Sequence, residues 1–395
     1  MTRYNGWGTR EIEGVRNLQK AEERKTPSRI CLAQPLAQSA YVERYIGVWL
    51  SDYLPSGRLA SATIQTRDGS PCGKMEIIHG LHPSQKPVQF SLLAISLCTI
   101  GKRDKDINIT KQGLTYYSTA VKELSKAIVN PSLSTYDGNL AASKVLTLFE
   151  LIHAIKDRSR FIFNSPEWRT IPWEFHPKTS RDLLFDILGD MTEVIVDSDQ
   201  MRACQDIDRR KALADSVISS CWNLEDRLQT WFQEAAPLRP FRDKTGELID
   251  PCGADDFAWA HLTTIYWSTC LLLYYTFRSV SGPSMALLPH MNPTICIREL
   301  ALALPYFWRP GAGLMGADMA AFPLGICMHI LYAGPIEESE DRMLLEELVT
   351  SPGVQDTVLK FLRSLQRDSA RQDMVQIDGV EGLRARARSW SAGKQ

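Results

Sequence analysis

The sequence predicts an all-α protein, a multi-helix bundle of antiparallel helix pairs with no significant sheet. Three observations carry this. Apolar residues recur at spacings of three and four along most of the chain from residue 88 onward. Period-two alternation, the mark of a half-buried strand, is scarce and surfaces only weakly around 62–66. Short polar connections separate the periodic runs, the pattern expected where neighbouring helices reverse direction.

The elements follow in order. Residues 1–34 are polar and mixed in charge, and read as a flexible arm. Leu36, Tyr41, Tyr45, Val48 and Trp49 then share one helical face over 35–54. Residues 55–74 carry Gly, Pro and Ser and read as a loop. "VQFSLLAISLCTI" (88–100) predicts a buried helix, with Gly101 as its C-terminal cap. Leu114, Tyr117, Val121, Leu124 and Ile128 form a stripe over 112–129. Leu140, Val145, Leu148, Ile152 and Ile155 form a second, pairing with the first across a short polar connection. Residues 160–175, "RFIFNSPEWRTIPWEF", break the periodicity with two prolines and a dense set of rings. A helix over 180–196 follows.

The longest periodic run is 205–233. Leu213, Val217, Cys221, Leu224, Leu228 and Trp231 lie on one face, and charged residues on the other. It reads as an amphipathic helix on its own core, with a short coiled-coil seam as the alternative. Leu213, Val217, Leu224, Leu228 and Trp231 are therefore candidate protein-contact residues. Residues 235–255 read as a linker. The run 257–277 has no formal charge and is long enough to span a bilayer, which takes about 20 residues. Its six His, Ser and Thr residues and acidic upstream flank favour a central helix buried on all sides, and no membrane association is expected. Helices over 294–306, 317–333 and 340–366 complete the domain, taken as 35–380. A basic tail, 381–395, carries Arg384, Arg386, Arg388 and Lys394.

Composition narrows the function. The formal net charge of −1 provides no global field toward nucleic acid or anionic membrane. The nine cysteines include no C-x-x-C, and the closest pair, Cys204 and Cys221, is 17 positions apart. No sequence-local zinc or dithiol site results. The odd count and the absence of a secretory leader pattern predict a reducing compartment. "GAGLMG" (311–316) matches G-x-G-x-x-G, but no β-branched strand leads into it, so a glycine-rich turn into the next helix is expected. His79 and His82 in "HGLHP" lack further ligands nearby, and Cys327 and His329 at i, i+2 point apart on a helix. No catalytic, cofactor-binding or metal-binding residues are expected.

Five segments stand in a suggestive order: "YYSTAVKELSKAIVNPSLSTYDGNLAASKVLTLFELI" (116–152), "FIFNSPEWRTIPWEF" (161–175), "LLFDILGDM" (183–191), "LEDRLQTWFQEA" (224–235) and "GADMAAFPLGICMHI" (316–330). Together they resemble the fungal-specific transcription-factor domain, the helical regulatory half of zinc binuclear cluster regulators, most strongly over 88–335. The chain departs from that family in two ways. It holds no six-cysteine zinc cluster, and Phe322, Pro323 and Leu324 are followed by Gly325 where the family has Arg.

The resemblance implies a nuclear transcriptional regulator or co-regulator, with the cytoplasm as the alternative location, and a role in a secondary-metabolite pathway. It implies action through other transcription factors or a second copy, a small-molecule effector, and no direct sequence-specific DNA binding by this chain alone. It also gives the aromatic segment two roles. Phe161, Phe163, Trp168, Trp173 and Phe175 would form a structural plug between helix pairs or the wall of an apolar ligand pocket. The alternative function is a pathway enzyme or small-molecule-binding protein on a helical scaffold, with Glu150, His153, Asp318 and His329 as the first residues to inspect.

Overall fold

A computed structural model describes residues 34–53, 85–130, 137–174, 177–235, 254–282, 287–309, 312–333 and 340–350, together with positions 241, 244, 245 and 285. Among these there are eleven α-helices and no strand. They are α1 (Gln34–Tyr53), α2 (Lys86–Arg103), α3 (Ile107–Ile128), α4 (Asp137–Lys156), the short α5 (Pro166–Thr170), α6 (Ser180–Ala203), α7 (Ile207–Ala235), α8 (Ala254–Ser281), α9 (Pro293–Ala303), α10 (Gly313–Ala333) and α11 (Glu340–Thr350). The chain divides into two units, 1–44 and 45–395. Of the first, the described residues are the opening turns of α1. The account below concerns the second.

Helix starts follow from local chemistry. Asp106 caps α3 by accepting from the Asn108 and Ile109 amides at 2.8 and 3.2 Å. Thr179 and Asp182 form a reciprocal capping box at the head of α6. Asp206 accepts from the Asp208 and Arg209 amides to open α7. Asn292 caps α9, with Pro293 at its first position, where the missing N–H costs nothing.

Three-residue connections turn α2 back along α3, and α6 back along α7, which makes each an antiparallel pair. The α2–α3 pair is very close. A Cβ built on Gly113 of α3 would lie 2.6 Å from Cys98 Sγ and 2.8 Å from the Cys98 amide nitrogen. One built on Gly101 of α2 would lie 2.5 Å from Thr110 Oγ1. Two glycines at the crossing let the backbones approach. From this pair the packing runs through α4 to α6, α7 and α8. α8 is the hub: it touches α6, α7, α9 and α10. Ile265, Tyr266, Leu271, Leu273, Tyr274 and Phe277 of α8 are all buried. No helix among the described residues is long and apolar enough to cross a membrane.

Three expectations need correction. Gly101 does not end α2; it lies buried inside the helix, which continues to Arg103. Lys105 takes the left-handed terminating position instead, with φ 57°. The Asp106 amide bonds back to the Gly101 carbonyl at 2.8 Å and closes the turn. The stripe assigned to α3 is buried only in part: Leu124 and Ile128 are buried together with Gly113, Ala120 and Ala127, while Leu114 is 54% exposed. At the crossing itself it is Gly113 that meets α2, beside Cys98. The helix placed at 317–333 begins at Gly313 and carries Pro323 in its interior. The arm up to residue 33, the 55–74 loop, "HGLHP", Phe175, the continuation of the last helix beyond 350 and the basic tail lie outside the described residues.

Candidate functional site

The aromatic segment is the most elaborate joint in the described structure. It leaves α4 through Arg158, whose left-handed φ of 49° ends that helix, with the Ser159 amide bonding to the Ala154 carbonyl at 2.9 Å. It then winds through a 3-10 turn (Ile162–Asn164), the five-residue α5 and a second 3-10 turn (Ile171–Trp173). Pro166 and Pro172 sit at the first turns of their short helices, which is where proline fits.

Phe161 and Phe163 are buried, and Trp168 and Trp173 half-buried. Phe161 and Phe163 meet edge to face at 5.4 Å, and Phe163 and Trp168 are tilted at 4.6 Å. Both separations lie in the favourable range for ring pairs. Gly189 of α6 makes room for the segment: a Cβ there would lie 3.0 Å from a Phe161 ring carbon and from Asn164 Oδ1. The Phe161 amide donates to Thr192 Oγ1 at 3.1 Å.

Charge fastens this joint. Asp182, Asp186, Asp190, Glu193 and Asp197 recur on α6 at spacings of four, four, three and four, so they form one acidic row. Cations from elsewhere in the chain meet each of them. Lys144 of α4 reaches Asp182 at 3.2 Å, and Lys178 pairs with Asp186. Arg169 and Arg227 share Asp190, the latter at 2.7 Å. Arg160 bridges Glu193 and Asp197. Arg158 continues the line to Asp199 with a 2.6 Å hydrogen bond. Asn164 donates to Asp190 at 3.2 Å.

Burial by itself would raise the Asp190 carboxyl. The hydrogen bonds from Arg169 and Arg227 outweigh it, and its pKa falls below the usual carboxylate value. Asp182 behaves alike: Lys144 and Thr179 overcome the penalty of burial.

A cleft of about 40 Å³ remains between this segment, α4 and α6. That is room for a few water molecules. Cations already occupy ring faces along its walls. The Lys144 and Lys178 ammonium groups lie 4.6 and 5.3 Å from the Trp173 ring, and the Arg181 guanidinium lies 4.8 Å from Phe185. Phe161, Phe163, Trp168 and Trp173 are among the residues that line it.

A second polar centre lies between α7 and α8. Glu225 is buried, and its Oε1 accepts from Gln229 Nε2 at 2.8 Å and from the Tyr274 hydroxyl at 3.3 Å. It also lies 2.8 Å from His290 Nε2, on the half-exposed turn that precedes α9. Its other oxygen, Oε2, is buried with no protein partner. Burial, then the neighbouring Cys270 and Glu225, lift the Tyr274 phenol well above its ordinary range, so it remains a donor. Nothing in the local sequence flags this carboxylate. Beyond Gln229, one turn along the same helix, its partners come from positions 49 and 65 residues away.

The remaining candidates are placed as follows. Val217, Leu224, Leu228 and Trp231 are buried and Leu213 is half-buried. The Trp231 indole donates to the Ser180 carbonyl at 2.6 Å. Four of the five stripe residues thus face the chain's own core. His153 is exposed and bonds Asp157 at 3.0 Å. Burial raises the Glu150 carboxyl. His329 lies mostly buried, with Nδ1 unpartnered, and burial and Arg158 lower its pKa. Asp318 is half-buried in the same helix.

The second half of "GAGLMG" opens α10. It follows a 3-10 turn (Leu304–Trp308), and a Cβ on Gly316 would meet the Phe307 carbonyl oxygen at 2.3 Å. The glycine is there for close packing. Among the described residues no three His, Cys, Asp or Glu gather in a way that could hold a metal ion. Comparison of the chain with protein-family models, curated proteins and solved structures finds no match.

Proposed function

We propose that this chain is a regulatory helical domain, a transcriptional regulator or co-regulator that works through contacts with other transcription factors or with a second copy of itself. The reading keeps the resemblance to the fungal-specific transcription-factor domain, and with it a nuclear location and a role in a secondary-metabolite pathway. The observation that carries it is the aromatic plug. Its rings seat against α6, yet paired charges fasten it, and much of that charge is half-exposed. Such a joint is stable at rest and can be undone by a competing charge, as a regulatory element requires.

The test is a reporter assay. Fused to a zinc-cluster DNA-binding module, the chain is expected to change reporter output severalfold relative to that module alone. Output equal to that of the bare module refutes the reading. Without a partner, the chain should give no sequence-specific DNA shift at about 150 mM salt, since its charges balance.

A second reading, a small-molecule-binding protein or pathway enzyme, draws on Glu225. A buried carboxylate with one unpartnered oxygen beneath a half-exposed histidine suits recognition of a polar ligand. Ligand-dependent thermal stabilisation that is lost in Glu225→Gln would favour it over the first.

A further inference from the structure

We propose that Ser165 is a phosphorylation site for a proline-directed serine/threonine kinase, and that its phosphorylation unfastens the aromatic plug. Ser165 is the one Ser or Thr among the described residues that precedes proline. It lies at the tip of the segment with φ −67° and ψ 151°, the extended geometry in which kinases bind their targets. Its hydroxyl belongs to an exposed contact, donating to Glu167 Oε2 at 2.6 Å. The helix that follows has only five residues. So short a helix has little stability of its own and can open locally to fit a kinase cleft.

The chemistry balances with ATP as donor. Ser165 Oγ attacks the γ-phosphorus, the bond to the β-phosphate oxygen breaks, ADP leaves, and the hydroxyl proton passes to the kinase's base. The product carries about −1.5 to −2 charge at pH 7. Two consequences follow at this location. The hydrogen bond to Glu167 is lost, because its donor is gone, and a dianion now faces that carboxylate. Arg169 is the nearest cation on the same helix, one turn away, since its amide bonds the Ser165 carbonyl at 3.1 Å. In the unmodified chain Arg169 ties Asn164 and Asp190 together. A phosphate one turn away competes for that guanidinium. Drawing Arg169 off Asp190 cuts the central link between segment and α6, leaving Arg227 on Asp190 from the other side.

The switch rests on the regulatory reading of the plug, but its readout does not depend on any reporter. The full chain is incubated with a purified proline-directed kinase and ATP, beside Ser165→Ala and a free peptide of sequence 160–172. Peptide-resolved mass spectrometry locates the phosphate, and amide exchange follows residues 161–174. The expected result is phosphate on Ser165 and exchange over that segment faster by about tenfold, with no change in the treated Ser165→Ala chain. Two results overturn the proposal: Ser165 of the folded chain left unmodified, whether or not the free peptide is a substrate, or a modified chain whose exchange is unchanged. A silent reporter alongside accelerated exchange would refute the transcriptional role and leave the switch standing.

Discussion

Replacing Asp190 by Asn tests whether charge holds the plug in place. The Asp190 side chain is 22% exposed and accepts from Arg227 at 2.7 Å, from Arg169 at 3.1 Å and from Asn164 at 3.2 Å. An exposed ion pair contributes about 0–1 kcal/mol, and breaking a buried one costs about 3–5 kcal/mol. Arg169 is 25% exposed and Arg227 35%, so this site lies between those limits. Counting the Arg169 bond nearly in full and discounting that of Arg227 for solvent screening gives about 2–3 kcal/mol.

Urea denaturation followed by circular dichroism at pH 7 reads this directly, with Asp215→Asn, an exposed site on α7, as control. The sign with pH is fixed. The folded-state pKa of Asp190 is depressed, so its contribution is present above the unfolded value near 3.9 and is lost as pH falls through the folded value. The gap between wild type and Asp190→Asn should therefore close below about pH 4. A loss under about 0.5 kcal/mol at pH 7, or a gap that widens on acidification, would show that the ion pairs do not fasten the segment.

Three further outcomes can be checked by the same denaturation method. Gly113→Val should destabilise by at least about 2 kcal/mol, since the new side chain meets Cys98 backbone and sulfur and the helices must part. Lys105→Gly should stabilise by about 0.5–1 kcal/mol, because φ 57° is strained for lysine and the greater freedom of unfolded glycine offsets part of the relief. Phe163→Ala should cost about 3 kcal/mol and shift tryptophan emission to the red, as the Trp168 ring tilted against it at 4.6 Å gains water.

Much of the fold was legible from periodicity alone. Helices longer than four turns, such as α6 and α7, repeat their apolar residues often enough to be unambiguous, whereas α8 was legible as an uncharged run whose His, Ser and Thr residues and acidic flank favoured a buried helix. The buried face of α3 was legible at Leu124 and Ile128 but not at Gly113, which carries no hydrophobic signal although its smallness is what lets α2 approach. Gly101 was misread for the opposite reason: glycine suits a helix end, but here a tertiary contact needs its missing side chain. The plug residues were visible as a cluster of rings broken by proline. The acidic row on α6 was equally present in the sequence, at helical spacing, and its meaning appears only once Arg160, Arg169 and Arg227 arrive from other segments. Glu225 was hidden altogether, since a helix sequence does not show which of its carboxylates faces a neighbour.

The central position of α8 bears on how the protein is made. Its flanks are met by helices that emerge earlier, α6 and α7, and by others that emerge later, α9 and α10. About fifty residues separate the end of α8 from the end of α10. At translation speeds of about 5–20 residues per second, a ribosome takes about 3–10 s to deliver them. For that interval the nascent chain presents an oily, half-covered rod to the cell, and a chaperone that recognises such rods has time to bind it.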